Sequence, residues 1–101
     1  MAITVLTKDN YESEVAGSPL PVLIDFWAAW CGPCRMLSPI VDILSEQHPE
    51  IKVCKVNVDE EGELADRFKV TAIPMLAVVK NGEVTASAAG YRDKDEILAM
   101  I

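Results

Sequence analysis

The stretch Val22-Leu23-Ile24-Asp25-Phe26-Trp27 is apolar apart from one carboxyl, and four residues later the chain reads Cys31-Gly32-Pro33-Cys34. An apolar run without alternation is the signature of a central strand covered on both faces. Arg35-Met36-Leu37-Ser38-Pro39-Ile40 follows and reads as helix. A strand that delivers two thiols to the first turn of a helix leaves the fold little freedom. Residues i and i+3 of a helix share a face, so Cys31 and Cys34 can approach each other. Pro33 suits the first helical position, where a missing N–H costs nothing. Cys31 then falls near the N-cap, where free amides and the positive end of the helix dipole favour a thiolate.

The flanking segments fit around that centre. Ile3-Thr4-Val5-Leu6 is a short strand rich in β-branched residues. Lys8 to Val15 pairs Tyr11 with Val15 at i and i+4, which predicts a one-sided helix. Met36, Leu37, Ile40, Val41 and Leu44 form the apolar stripe of the second helix, which continues through Pro39 with a kink and stops before Pro49. Ile51 to Val58 is a buried strand. Asp59 is placed to cap a short helix with Leu64, Ala65 and Phe68 on its apolar face. Val70 to Pro74 is extended, because residues before proline avoid the helical region. Met75 to Val79 and Glu83 to Ala88 are strands joined by Asn81-Gly82, a strong hairpin signal. Gly90 breaks that pattern. Asp93 with Glu96 makes a capping box for a last helix through Ile101. The order is β-α-β-α-β-α-β-β-α, with the first three strands parallel and the last two antiparallel.

The length of 101 residues argues for one domain over 1–101, and a hydrophobic fraction of 50% is enough for a core without staples. The net charge of −7, with no basic run, argues against nucleic acid or an anionic membrane surface as a partner. The first ten residues lack the basic start and long apolar stretch of a signal peptide. The longest apolar segment, Leu20 to Trp30, is broken by Pro21 and Asp25 and is too short to span a bilayer. Three cysteines do not make a secreted disulfide framework and suit a reducing compartment, so a cytoplasmic protein is expected.

Trp30-Cys31-Gly32-Pro33-Cys34, preceded by the run from Val22 to Trp27, resembles the thioredoxin family. The resemblance continues through Asp59, Ile73-Pro74, Lys80-Asn81-Gly82 and Gly90, and so spans nearly the whole chain. It implies an α/β thioredoxin fold: a mixed five-stranded sheet in the order 1-3-2-4-5, with four helices on both faces. It also implies a monomeric thiol–disulfide oxidoreductase without bound cofactor. Such a protein reduces disulfides in protein substrates through a reversible Cys31–Cys34 pair and is re-reduced by a dedicated thioredoxin reductase.

Disulfide reduction needs an exposed thiolate, a second thiol that resolves the mixed disulfide, and a proton handler. Cys31 is the better nucleophile by position and Cys34 the resolving thiol, buried one turn inside. A zinc site is the alternative, but only Cys54 and His48 remain as further ligands and neither repeats a ligand spacing. Cys54 reads as an inert small hydrophobe in a buried strand. No histidine stands between Cys31 and Cys34, which favours the electron-donating direction over oxidase or isomerase chemistry. A pure binding module, its thiols idle, is the remaining rival.

Asp25 admits two readings: an edge residue satisfied by water, or a buried carboxyl of raised pKa that takes the Cys34 proton. The resemblance assigns the second. Lys55 likewise reads either as a strand residue reaching solvent or, by the resemblance, as the neighbour of Asp25. The resemblance further implies a cis Ile73–Pro74 bond facing the cysteines. It implies a flat apolar docking surface from Trp30, Gly32, Pro33, Ala72, Ile73, Pro74 and Gly90, with Phe26 and Trp27 in the core. The sequence departs from the family pattern at Met75, where threonine is usual, and at Lys69, where glycine is frequent.

Overall fold

The computed structural model describes residues 3–101. Its five-stranded sheet is built from β1 (Ile3–Val5), β2 (Val22–Trp27), β3 (Lys52–Asn57), β4 (Met75–Lys80) and β5 (Glu83–Ala89) in the order β1-β3-β2-β4-β5. The helices are α1 (Gly32–Gln47), α2 (Gly62–Arg67) and α3 (Lys94–Leu98). β1, β2 and β3 run parallel, because each crossover between them carries a helical segment; β4 pairs antiparallel with β2, and β5 antiparallel with β4. Asn81 (φ 53°) and Gly82 (φ 80°) close the hairpin with two left-handed residues, as its right-handed twist requires.

β2 lies at the centre of the sheet, buried throughout except at Trp27. Val22, Ile24 and Phe26 point to one face and join Tyr11, Val15, Cys54, Val56 and Leu64 in an apolar cluster. Phe68 packs onto this layer, its ring 5.1 Å from Phe26 and 5.8 Å from Tyr11. On the other face Leu23 and Val53 meet Leu37, Val41 and Leu44 of α1 and Ile97 of α3. α1 is thus pressed against the sheet face that also carries Asp25 and Lys55, the next residues of the same parity.

Several segments differ from the sequence reading. The first helix is a single π-helical turn, Glu12–Ala16, closed by the Gly17 amide on the Glu12 carbonyl at 3.0 Å. Tyr11 and Val15 are still its buried residues, so the apolar spacing was read correctly and its bonding was not. Gly32 takes the first position of α1 and Pro33 the second, where an amide would also lack an intrahelical partner. Met36 is not a core residue: it is 65% exposed, because the inward line runs Cys34, Leu37, Val41 and Leu44. Asp59 does not cap α2, whose N-cap is Glu61. The Asn57 carboxamide accepts the Asp59 and Glu60 amides at 2.9 and 3.3 Å, which turns the chain before the helix begins. The capping box is present, with the Glu96 amide on Asp93 Oδ1 at 2.9 Å and the Asp93 amide on Glu96 Oε1 at 3.1 Å. α3 nonetheless ends at Leu98, and tighter i→i+3 turns carry the last residues.

Candidate active site

The turn after β2 brings the chain round at Ala28, whose carbonyl accepts the Cys31 amide at 3.2 Å. Cys31 has extended backbone (φ −89°, ψ 110°) and caps α1: its Sγ accepts the Cys34 amide at 3.2 Å. This bond comes from one of the free amides of the first turn, so the helix end itself solvates the sulfur. Cys31 and Cys34 are joined as a disulfide, with their Cα atoms 5.3 Å apart. Both residues are buried, Cys31 at 4% and Cys34 at 3% exposure. The expected contrast between an exposed Cys31 and a buried Cys34 is therefore absent from the disulfide form. The capping geometry folds the Cys31 sulfur onto the helix, and Ala28 and Ile73 pack over the pair.

Asp25 is 1% exposed in the central strand, which excludes an edge residue satisfied by water. Its Oδ1 has no hydrogen-bond partner among the described residues. Burial pushes its pKa up to about 6; the Lys55 charge opposes that rise and the Asp42 charge adds to it. Lys55 stands directly opposite Asp25 in the β2–β3 register. Lys55 is half-buried, and among the described residues its ammonium makes no bond to Asp25. It donates to Ser38 Oγ at 2.7 Å and to Asp42 Oδ1 at 2.9 Å, both on α1. The Asp42–Lys55 ion pair is a partner set the sequence reading missed. A signal was available: Cys34, Ser38 and Asp42 follow one another at i+4 steps along one side of α1. A cavity of about 460 Å³ lies beside the pair, lined by Trp27, Ala28, Cys34, Arg35, Ser38 and Lys55, among others. The Arg35 guanidinium is held at its rim by the Ala29 carbonyl, 2.6 Å away.

Around the thiols the surface is apolar and mostly exposed. Trp30 is 68% exposed, and its indole N–H donates to Asp59 Oδ2 at 3.0 Å, the role Asp59 takes in place of a helix cap. Gly32, Pro33 and Ala72 are exposed, Ile73 and Gly90 half-buried, and Pro74 buried beneath them. The Ile73–Pro74 bond is cis. The Gly90 amide (φ 98°) donates to the Pro74 carbonyl at 2.8 Å, which ties the end of β5 to this loop. A groove of about 210 Å³ runs between Trp30, Ala72 and Ile73, with Val58, Val70 and Thr71 as walls the sequence reading did not single out. Cys54 lies away from all of this, on the opposite sheet face, and burial pushes its thiol up to about 12. Among the described residues no cluster of three or more His, Cys, Asp or Glu is arranged to hold a metal ion, and no helix is long and apolar enough to cross a membrane.

The Thioredoxin family model matches residues 2–101. A thioredoxin of Rickettsia bellii is 40% identical over 97 residues, covering 95% of this chain and 92% of the relative. A thioredoxin of Alicyclobacillus acidocaldarius is 40% identical over 101 residues, covering 99% and 95%. The protein called thioredoxin M5, chloroplastic, of Oryza sativa is 40% identical over 100 residues; these are 98% of this chain but only 58% of the rice protein. With the sheet order, the capped disulfide and these matches in agreement, the chain belongs to the thioredoxin family and is a thiol–disulfide oxidoreductase.

Proposed function

We propose that this protein reduces disulfides of protein substrates in the cytoplasm, as a monomer, and is returned to the dithiol by a thioredoxin reductase. Cys31 attacks. In the reduced protein its sulfur keeps the seat at the end of α1, where the Cys34 amide solvates a thiolate better than a thiol. One substrate sulfur leaves as thiolate and the other is held as a mixed disulfide with Cys31. Cys34 then gives its proton to the Asp25 carboxylate, and its sulfur attacks that bond. The Cys31–Cys34 bond forms, the bond to substrate breaks, and two electrons have passed from the dithiol to the substrate. A carboxyl with a pKa of about 6 is ionised at neutral pH yet basic enough to take this proton.

Trp30, Gly32, Pro33, Ala72, Ile73 and Gly90, with Pro74 beneath, form the face on which an extended substrate segment lies. Its apolar groove suits a short stretch of chain around the target cystine. The observation that carries the reading is the disulfide between an N-cap cysteine and the third helical residue, the N-cap sulfur bonded to the helix amide.

The test is reduction of a protein disulfide by the Cys31→Ser and Cys34→Ser variants. Cys31→Ser should show only the uncatalysed rate, and Cys34→Ser should accumulate a covalent mixed disulfide with substrate. Alkylation of the reduced protein at neutral pH should label Cys31 first. Labelling of Cys34 ahead of Cys31, or of neither faster than free cysteine, would overturn the assignment.

A further inference from the structure

The position of the Lys55 ammonium leads beyond the thiols. Lys55 and Asp25 are register partners on adjacent strands, close enough for their charges to act on one another, yet among the described residues the lysine bonds only to α1. Ser38 Oγ and Asp42 Oδ1 take it at 2.7 and 2.9 Å, while Asp25 Oδ1 stays buried and unpartnered among the described residues. A buried carboxylate next to a free ammonium would normally capture it, since a charge-assisted bond in a buried site outweighs the weaker pull of a half-exposed carboxylate. Two α1 acceptors acting together offset that preference. Both project from α1 on the line that begins at Cys34, so the helix that carries the resolving thiol also fixes the lysine.

We propose that Ser38 and Asp42 are positioning residues: by holding the Lys55 ammonium against α1, they keep it from closing onto Asp25 and leave that carboxyl free to receive a proton. This rests on the reading of Asp25 as the acceptor of the Cys34 proton. The direction of the field agrees, since Asp42 raises the proton affinity of Asp25 and Lys55 lowers it. Among the described residues no other element competes. β4 presents Leu76 opposite Asp25, and its buried stretch from Met75 to Val79 carries no ionisable group. On α3, Lys94 bonds to Gln47 at 2.8 Å and Glu96 to the Asp93 amide. From α1 the remaining groups are Cys34 itself and Arg35, which the Ala29 carbonyl holds at the cavity rim.

The experiment follows the Asp25 carboxyl carbon by NMR through a pH titration, in the parent protein and in Asp42→Asn, Ser38→Ala and Asp42→Glu. Asp42 is half-exposed on α1, so its variants should keep the fold. Asp42→Asn should lower the Asp25 midpoint by about one pH unit, the low end of what an opposite charge at close range does to a carboxyl. Ser38→Ala should lower it less, and Asp42→Glu should restore the parent value. In a Lys55→Met background, Asp42→Asn should move the midpoint by less than half as much. An unmoved or raised midpoint in Asp42→Asn overturns the proposal. So does an equally large fall without Lys55, since that would make Asp42 a direct field and no positioner. The pH–rate profile for reduction of a disulfide peptide separates the underlying reading: a lowered midpoint with an unmoved profile would sink Asp25 as proton acceptor while sustaining the placement of Lys55.

Discussion

The two faces of the sheet are built from alternate residues of the same strands, and they do different work. Ile24, Phe26, Cys54 and Val56 face an apolar layer closed by Tyr11, Leu64 and Phe68. The residues between them in the chain, Asp25 and Lys55, face α1, where the helix supplies Ser38 and Asp42. Cys54 shows what a thiol becomes on the first face. Burial pushes it up to about 12, so it stays protonated at neutral pH. Cys31, almost as buried, sits at a helix start and accepts an amide. On the proposed mechanism, burial alone does not decide reactivity; open backbone donors beside the sulfur do.

The strongest way to break this contrast is to damage the apolar face. Phe26→Ala should cost about 3–5 kcal/mol of stability, read by urea unfolding, because the ring is fully buried between the sheet and Phe68. A loss below about 2 kcal/mol would mean that this face is loosely packed.

The Asp25 position, on the face that meets α1, should respond with the opposite sign. The Asp25 pKa is raised from 3.8 to about 6, so the native state is destabilised once the unfolded chain can ionise. That cost is absent below pH 3.8, grows as pH rises towards 6, and is complete above it. Asp25→Asn should thus stabilise the protein by about 3 kcal/mol at pH 7 and by nearly nothing at pH 3, while slowing disulfide reduction. A variant less stable than the parent at pH 7 would contradict a buried, proton-accepting carboxyl.

A smaller effect sharpens the comparison of thiols. Cys54→Ala should lose about 1 kcal/mol through the small void it leaves, and disulfide reduction should proceed at the parent rate. A fall in turnover beyond twofold would show that the thiol on the apolar face takes part after all. Comparable in size but opposite in direction is Lys69→Gly. Lys69 follows Phe68 with φ 56°, a left-handed residue that a side chain disfavours by about 1 kcal/mol. Thermal unfolding should show a gain of that order, with Phe68 still seated.

Much of this molecule was legible along the chain because its determinants are local. An apolar run without alternation set the central strand, Asn81-Gly82 the hairpin, Asp93 with Glu96 the start of α3, and the two-residue gap between thiols at a helix start the disulfide chemistry. The resemblance to thioredoxin added the strand order and the cis bond before Pro74, both present in the structure. Asp59 and Met36 were misread because capping and stripe rules describe an isolated helix. Here the Asn57 side chain claimed the turn, and the Cys34–Leu37–Val41 line claimed the core.

What the sequence by itself determined is a strand, a helix start and two sulfurs at its mouth, since backbone geometry over a dozen residues is enough to place them. Which partner Lys55 takes was decided only by tertiary packing. Asp25, Ser38, Asp42 and Lys55 come from three separate elements, and no rule of spacing ranks two carboxylates competing for one ammonium. That choice depends on how closely α1 rests on the sheet and how much water each carboxylate loses there.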